Sequence, residues 1–205
     1  MIINNRFKKA VRTLSKFSSS LWFESGATLR VKNSNSTVIA EHQLLSDIDG
    51  CVTGLSDFIQ VVDVYHNDVM TQVEDTFQVE NDYFKSTVVL YNHNDKPPTV
   101  NLVPTCEMEM YGTVFNAMVN TLHTSAFSRV SFGRGTIVGH TPRGSAKVEY
   151  KNKIITSANT FNDQSVSMER FKYLPEAQAL VKVIVDKRGM VQLQYDGWKF
   201  TLVAN

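Results

Sequence analysis

The stretch that decides the fold lies near the amino end and reads NRFKKAVRTLSKF, residues 5–17. Its apolar residues recur at the i, i+3, i+4, i+7 spacing that places them on one face of an α-helix. At about 100° per residue the basic residues cluster on the opposite face, and no acid accompanies them. The stretch therefore predicts an amphipathic helix whose outer face is wholly cationic. Its four cations are Lys8, Lys9, Arg12 and Lys16.

Most of the remaining chain alternates apolar and polar residues with the period of two that is typical of strands, with polar turns in between. The pattern is clearest at the carboxyl end, where it predicts a three-stranded meander. Three further segments have helical spacing instead, and Ser56 is the expected N-cap of the first of them. The meander strands are expected over 180–186, 191–195 and 198–203, and the further helices over 56–66, 113–124 and 167–174.

The domain organisation follows from the middle of the chain. Pro97 and Pro98 exclude a helix there and favour an extended connection. On either side of it the elements follow the same order of helix, strands, helix and strands. The sequence therefore predicts two similar α+β domains, at 1–92 and 105–205, joined by a connector over 93–104.

The formal net charge of +1 conceals a segregation of charge along the chain. Residues 1–32 contain seven basic residues and one acid, whereas residues 33–84 contain ten acids and no Lys or Arg. A protein that grips a polyanion on one face and keeps the other face solvated has this pattern. Chance clustering on solvated faces produces it as well, so the charge distribution alone leaves both interpretations open.

The composition excludes several classes of protein. Apolar residues make up 42% and charged residues 20% of the chain, as in folded proteins rather than disordered ones. No apolar run approaches the roughly 18 residues of a membrane-spanning helix. Two cysteines, Cys51 and Cys106, are too few for a disulfide framework. We therefore expect a cytoplasmic protein, without membrane attachment, that acts in the host cytoplasm if it is viral.

The sequence gives no positive reason to expect an enzyme, a metal site or an organic cofactor. The five histidines are scattered without the spacing of zinc ligands. The run Asp47-Ile48-Asp49-Gly50 resembles the start of a calcium loop, but Cys51 stands where an oxygen ligand belongs. A turn leading into a strand is the better interpretation. The enzymatic alternative is a metal-dependent nuclease that uses Asp47 and Asp49, and a cleavage assay with and without Mg²⁺ would test it.

The cationic face of the first helix is the strongest functional signal. Its like charges repel one another by a few tenths of a kcal/mol per close pair, which favours an anionic partner over an ordinary solvated face. No outward Asn, Gln or aromatic residue accompanies them to read base edges or to stack on single strands. The pattern therefore indicates sequence-independent binding to the phosphates of double-stranded DNA.

The order of elements and several local patterns resemble the DNA sliding clamps, the processivity factors of replicative DNA polymerases, and most closely the clamps of T-even-like phages. The resemblance covers nearly the whole chain and rests on a collinear series of stretches rather than on one diagnostic motif. These stretches are Phe7 to Phe17, Ser20 to Gly26, Ser36 to Glu41, Gly54 to Val62 and Met110 to Leu122.

The resemblance implies two similar DNA-clamp domains, each with two helices packed on antiparallel sheets. Three subunits would assemble into a closed ring of six modules, with helices lining a central hole that encircles the duplex. A clamp loader would place this homotrimer on DNA, where it would tether the replicative polymerase without catalysis of its own. The implied DNA-binding residues are Lys8, Lys9, Arg12, Lys16, Arg170 and Lys172.

The resemblance also implies two protein-binding surfaces. Ring closure would pair an edge strand of one subunit with an edge strand of the next. The expected interface residues are Thr87, Val88, Val89, Leu90 and Tyr91 on one side, and Ala146, Lys147, Val148, Glu149 and Tyr150 on the other. A tail peptide of a partner would dock in an apolar pocket by the connector. Its candidate residues, which ordinary core packing explains equally well, are Val100, Leu102, Val103, Pro104, Leu202 and Val203.

One feature departs from a basic lining, because Asp57 and Asp63 are expected on the outer face of the second helix. A structural alternative is a β-rich virion or tail protein whose basic helix only packs. The two hypotheses differ in size, since a clamp is expected near three times 23.1 kDa.

Overall fold

The computed structural model describes most of the chain. The described residues are 1–24, 28–44, 48–91, 95–143, 147–151, 153–157 and 163–204. The chain divides into two compact units, Met1–Pro98 and Thr99–Asn205. This division falls inside the connector expected over residues 93–104. Helices and antiparallel strands occur in both units, which confirms the α+β class.

In the first unit, two α-helices accompany two sets of antiparallel strands. The described helices are α1 (Asn5–Leu14) and α2 (Leu55–Val64). The described strands are β1 (Ser20–Glu24), β2 (Thr28–Lys32), β3 (Val38–Gln43), β4 (Gly50–Thr53), β5 (Met70–Val73), β6 (Thr76–Glu80) and β7 (Lys85–Val89). They pair in the orders β3-β2-β1-β4 and β5-β6-β7.

Four phenylalanines form the centre of the first unit and join its helices to its sheets. Phe7 of α1 and Phe58 of α2 meet edge to face with ring centroids 6.4 Å apart. Phe23 of β1 lies 6.1 Å from Phe58 and 4.7 Å from Phe77 of β6. All four rings are at most 3% exposed. Such offset and edge-to-face contacts stabilise a core beyond the area that they bury.

The second unit contains one α-helix and one 3₁₀ turn among its described residues. These are α3 (Gly112–Thr124) and the turn Met168–Phe171. The described strands are β8 (Pro104–Tyr111), β9 (Arg129–Phe132), β10 (Thr136–His140), β11 (Lys147–Lys151), β12 (Lys153–Ser157), β13 (Gln164–Ser167), β14 (Leu180–Asp186), β15 (Met190–Tyr195) and β16 (Trp198–Val203). They pair in the orders β12-β8-β14-β15-β16 and β11-β10-β9-β13.

The start of α3 packs closely against the segment that precedes β14. A Cβ atom on Gly112 would lie 2.5 Å from the carbonyl oxygen of Ala179, so only glycine fits at this position. One turn later, the Asn116 side chain accepts from the backbone N–H of Ala177 and donates to its carbonyl, both at 2.9 Å. This pair of bonds holds the segment against the helix.

The helix expected over residues 167–174 is wrong in its length. Met168 and Phe171 are buried as the spacing predicts, but the helical turn ends at Phe171. Pro175 disfavours helical geometry at the residue before it. The carbonyl of Pro175 accepts from the hydroxyl of Tyr195 at 2.9 Å, which anchors the segment after the turn to β15.

The bounds of α1 and α2 also differ from the sequence predictions, and α2 ends at Val64 rather than His66. The N-cap of α2 is Gly54 in the left-handed region (φ +69°), and Ser56 lies inside the helix. Glycine adopts this geometry without the strain that a Cβ atom brings. At the other helix, α1 ends at Leu14 rather than Phe17. The Ser15 hydroxyl donates to the carbonyl of Arg12 at 2.9 Å, a bond that competes with the helical hydrogen bonds.

Two strands, β8 and β13, were not expected from the sequence. In β8 the buried residues alternate as in any half-buried strand, but they are Cys106, Met108 and Met110. Cysteine and methionine lack the β-branched shape that marks a strand in a sequence. Strand β4 begins at Gly50, so the strand expected after the run Asp47–Gly50 is present.

We predict that Phe58→Ala lowers the free energy of unfolding by about 3–5 kcal/mol, the usual cost of removing a buried aromatic ring. The control is Val64→Ala on the same helix, where the side chain is 51% exposed and where we expect a change within about 0.5 kcal/mol. Urea denaturation followed by circular dichroism measures both. Equal losses for the two variants would contradict the role assigned to the phenylalanine cluster.

Candidate nucleic-acid interface

Helix α1 presents its cationic face to solvent because its other face is fixed in the core. Phe7, Val11 and Leu14 are fully buried. The side chain of Asn4 caps the helix by accepting from the backbone N–H of Phe7 at 2.9 Å. An N-cap of this kind satisfies one of the backbone donors left free at a helix start. The cap and the buried face together determine which residues of α1 point outward.

The cationic face of α1 is divided into two halves. Lys9 and Lys16 are exposed, and neither makes a hydrogen bond or ion pair with a described residue. Lys16 belongs to the turn that follows the helix. Lys8 and Arg12 lie on the flank beside α2 and contact it. The predicted cluster of four cations is therefore present, with two free members and two that are engaged.

The engaged half contacts a single residue of α2. Nη2 of Arg12 donates to both carboxylate oxygens of Asp63 at 2.7 Å. Nζ of Lys8 donates to the backbone carbonyl of Asp63 at 3.2 Å. The sequence indicated that Asp63 points outward, but it contained no signal for this contact, because the partners are 51 residues apart.

The outer faces of α2 and α3 contribute little positive charge. Asp57 is exposed in the first turn of α2, where the positive end of the helix dipole favours an acid. On α3, Asn120 and His123 are exposed. Asn116 is half-buried, and its side chain is hydrogen-bonded to the backbone of Ala177. In the first unit, the cations in contact with α2 are those of α1.

The two cations expected from the second unit differ from one another. Lys172 is exposed, and its Nζ lies 5.2 Å from the ring centroid of Tyr173, a cation–π distance. Arg170 is half-buried on the 3₁₀ turn, and burial lowers the pKa of its guanidinium. Of these two cations, Lys172 is therefore accessible to solvent, whereas Arg170 is only partly accessible.

The expected subunit interface falls on two edge strands. Strand β7 pairs with β6, and β11 pairs with β10; each stands at the end of its sheet among the described residues. Val89 and Tyr91 are 51% and 47% exposed. Thr87 is exposed and Val88 half-buried, whereas Leu90 is buried against Gly50.

The second side of this interface is described only in part. Ala146 lies outside the described residues. Lys147 and Val148 pair in register with His140 and Gly139 of β10. Glu149 is exposed and Tyr150 is half-buried.

The candidate pocket residues near the connector belong to the second unit and differ in accessibility. Val103 and Pro104 are exposed, with Val103 50% exposed. Leu202 is fully buried opposite Val191 of β15, so it is part of the core rather than a docking surface. The remaining three candidates, all half-buried, are Val100, Leu102 and Val203.

The backbone of this segment is fastened to the turn between β14 and β15. Asp186, which is 0% exposed, accepts from the backbone N–H of Val103, and Lys187 N–H donates to the carbonyl of Val103 at 3.0 Å. The guanidinium of Arg188 contacts the carboxylate of Asp186 at 3.3 Å and the carbonyl of Asn101. The exposed side chains of Val103 and Pro104 thus belong to a segment whose backbone is held by hydrogen bonds.

In the first unit, Arg30 holds the beginning of the connector. Its guanidinium is buried and donates to Glu41 at 2.9 Å and to the carbonyl of Pro98 at 2.8 Å. It also contacts Glu24 at 3.3 Å, and Lys96 lies 3.0 Å from the same carboxyl. Burial raises the pKa of Glu24, but Lys96 and Arg30 together outweigh burial, so its pKa lies below the ordinary value.

The described residues offer no cluster of three or more His, Cys, Asp or Glu side chains that could hold a metal ion. Cys51 and Cys106 are buried, and burial raises the pKa of the Cys51 thiol to about 11. Asp49 is described, and its backbone N–H donates to Gln72, whereas Asp47 lies outside the described residues. In the part of the chain that the structure describes, no helix is long and apolar enough to cross a membrane.

Comparison with known proteins gives matches in structure alone. No protein-family model and no curated protein matches the sequence. The PCNA2–PCNA3 complex of Sulfolobus tokodaii matches at 14% identity and a TM-score of 0.72, over 100% of this chain and 98% of that chain. Proliferating cellular nuclear antigen of Entamoeba histolytica matches at 13% identity and a TM-score of 0.69, over 97% and 94%.

A third solved structure is the β clamp of Helicobacter pylori bound to a DNA ligase peptide. It matches at 12% identity and a TM-score of 0.72, over 98% of this chain and 64% of that chain. The present chain therefore spans about two thirds of that clamp. At identities of 12–14% these likenesses establish the fold, and the chain has the fold of the DNA sliding clamps.

Proposed function

We propose that this protein is a DNA sliding clamp that encircles double-stranded DNA as a homotrimer and is of the T-even-like phage type. The observation that carries the proposal is the exposed cationic face of α1 on a chain with the sliding-clamp fold. A clamp loader places the ring on DNA, and the ring then tethers the replicative polymerase. The protein has no catalysis and no cofactor of its own, and it acts in the cytoplasm of the host cell.

In this proposal, residues 1–92 and 105–205 are the two clamp domains, and residues 93–104 connect them. The division of the chain into two compact units supports this assignment. Each unit begins its helical part with an amphipathic helix, α1 or α3, and continues with antiparallel strands. Three such chains supply the six modules of the ring.

Ring closure pairs β7 of one subunit with β11 of the next. An unpaired edge strand exposes a row of backbone donors and acceptors, and head-to-tail pairing in a closed ring covers these two edges in every subunit. The exposed apolar side chains of Val89 and Tyr91 support this use of β7. Leu90, which is buried within its own unit, supports the strand from behind rather than contacting the neighbour.

DNA binding in this proposal is electrostatic and independent of sequence. Lys9 and Lys16 contact phosphates directly, Lys8 and Arg12 contribute from the flank beside α2, and Lys172 adds a further exposed cation. Arg170 contributes less than these residues because it is half-buried. Contacts of this kind release condensed counterions, so the affinity falls steeply with salt.

The polymerase and the loader dock through tail peptides at the apolar surface that Val103 and Pro104 present. The fixed backbone of this segment supports the assignment, because a preorganised surface loses less entropy on binding. The β clamp of the comparison is itself bound to a peptide. Val100, Leu102 and Val203 border the surface, and Leu202 supports it from the core.

We predict that K9Q/K16Q weakens binding to a duplex and lowers the salt dependence of the binding constant by about 0.9 for each lost phosphate contact. The control R143Q/K187Q removes the same charge from exposed turns of the second unit. Fluorescence anisotropy with a labelled duplex at several salt concentrations measures both variants. Loss of the same size in both would show that net charge, rather than the face of α1, determines binding.

The wild-type protein is expected to sediment near three times 23.1 kDa. We predict that V89D shifts it toward the monomer, because a buried carboxylate in the ring interface lacks a partner. The control V73D lies on β5, at the opposite edge of the same sheet, with a similar exposure of 46% against 51%. A trimer that persists in V89D, or that is lost in both variants, contradicts the assignment of β7.

Topological retention is the decisive experiment for the proposed function. The protein is incubated at high concentration with a nicked circular plasmid, and free protein is removed by gel filtration at raised salt. We expect the protein to elute with the circle and to dissociate after a restriction enzyme linearises the DNA. A virion protein that merely binds phosphates would dissociate from circular and linear DNA to the same extent. That outcome would exclude a clamp.

A further inference from the structure

Asp63 occupies a position where the electrostatics of its own helix do not favour an acid. It lies in the last turn of α2, at the negative end of the helix dipole, whereas acids are favoured in the first turn. Its side chain is 37% exposed and that of its partner Arg12 is 56% exposed. An ion pair as exposed as this contributes little to stability. Neither the dipole of α2 nor the stability of the ion pair therefore accounts for an acid at this position. Its contact with the cations of α1 offers another explanation.

The contact uses only part of the hydrogen-bonding capacity of Arg12. A guanidinium has five N–H donors on three nitrogens. Nη2 donates to both oxygens of Asp63 at 2.7 Å, and neither Nε nor Nη1 has a hydrogen-bond partner among the described residues. Arg12 can therefore contact an anion while its charge is largely balanced by Asp63.

We propose that Asp63 is an internal competitor that weakens the contact between α1 and DNA phosphates. Phosphates must share the Arg12 guanidinium with the carboxylate, and the carboxylate repels them as well. The effect is confined to the flank of α1 that holds Lys8 and Arg12, and Lys9 and Lys16 on the other flank remain free. This inference rests on the proposed function and adds to it a residue that sets the strength of the DNA contact.

The test compares D63N with D57N, which removes an equal charge from the same helix. Asp57 is exposed, its carboxylate accepts from Ser56 at 3.5 Å, and no contact with α1 is present among the described residues. We expect D63N to raise the affinity for a short duplex about threefold to fourfold, as for removal of one unit charge about 5–7 Å from a phosphate in water. We expect D57N to change the affinity less than about twofold, because the charge is farther from the cations.

A double-mutant cycle links the gain to Arg12. R12Q in the wild-type background is expected to reduce the affinity slightly, because Asp63 already balances most of this charge. R12Q in the D63N background should remove most of the gain, so the two substitutions should not be additive. Thermal melting of each variant verifies that the fold is intact, and D63A serves as a second variant if D63N is unstable.

The outcomes separate this inference from the proposed function. Equal effects of D63N and D57N, or weaker DNA binding by D63N, would overturn the role of Asp63 as a competitor. Additive effects of R12Q and D63N would overturn it as well. If K9Q/K16Q also leaves DNA binding unchanged, the proposed function fails, whereas a loss in K9Q/K16Q with no gain in D63N defeats this inference alone.

Discussion

The packing of Phe7 between Phe23 and Phe58 is the constraint on which the cationic surface depends. Burial of a side chain of this kind stabilises the fold by about 1.5–3 kcal/mol. Repulsion between neighbouring cations on a helix costs about 0.2–0.5 kcal/mol per pair. The aromatic contacts therefore prevail, and they hold α1 in the one rotation that exposes Lys9 and Lys16. The core of the first unit fixes the charge pattern of its surface.

The seven basic residues of the first 32 do not all serve this surface. Arg30 is 2% exposed and is surrounded by Glu41, Glu24 and the carbonyl of Pro98. Lys32 likewise pairs with Asp95. These two cations fasten the start of the connector within the first unit. The segregation of charge along the sequence therefore combines two causes, an exposed cationic surface on α1 and an internal network of ion pairs around Arg30 and Lys32.

Periodicity in the sequence predicted those helices and strands that are determined by their own residues rather than by contacts with distant segments. Strands β14 and β16 have the expected bounds, because turn residues limit both of them, and α1 was expected from its apolar spacing. A helical element was also expected over 167–174, but its shortening to the 3₁₀ turn at 168–171 was not, because Tyr195 and Asn116 hold the chain that follows it from distant positions. For the same reason the sequence predicted which cations the candidate site contains, but not which of them contact another helix. The division of the four cations into a free and an engaged half depends on a contact between segments far apart in the chain.

Counting phosphate contacts explains why such a division suits a protein that slides. If all four cations of α1 neutralised a phosphate in each of three subunits, the salt slope would be about −11, which is similar to that of a repressor that stays at its site. With two free cations in each subunit it would be about −5. A ring is retained by its topology and gains nothing from a tighter grip, whereas movement requires contacts that break readily. In the proposed clamp, the carboxylate of Asp63 beside Arg12 would place the surface in the weaker range while the side chain of Arg12 stays in position.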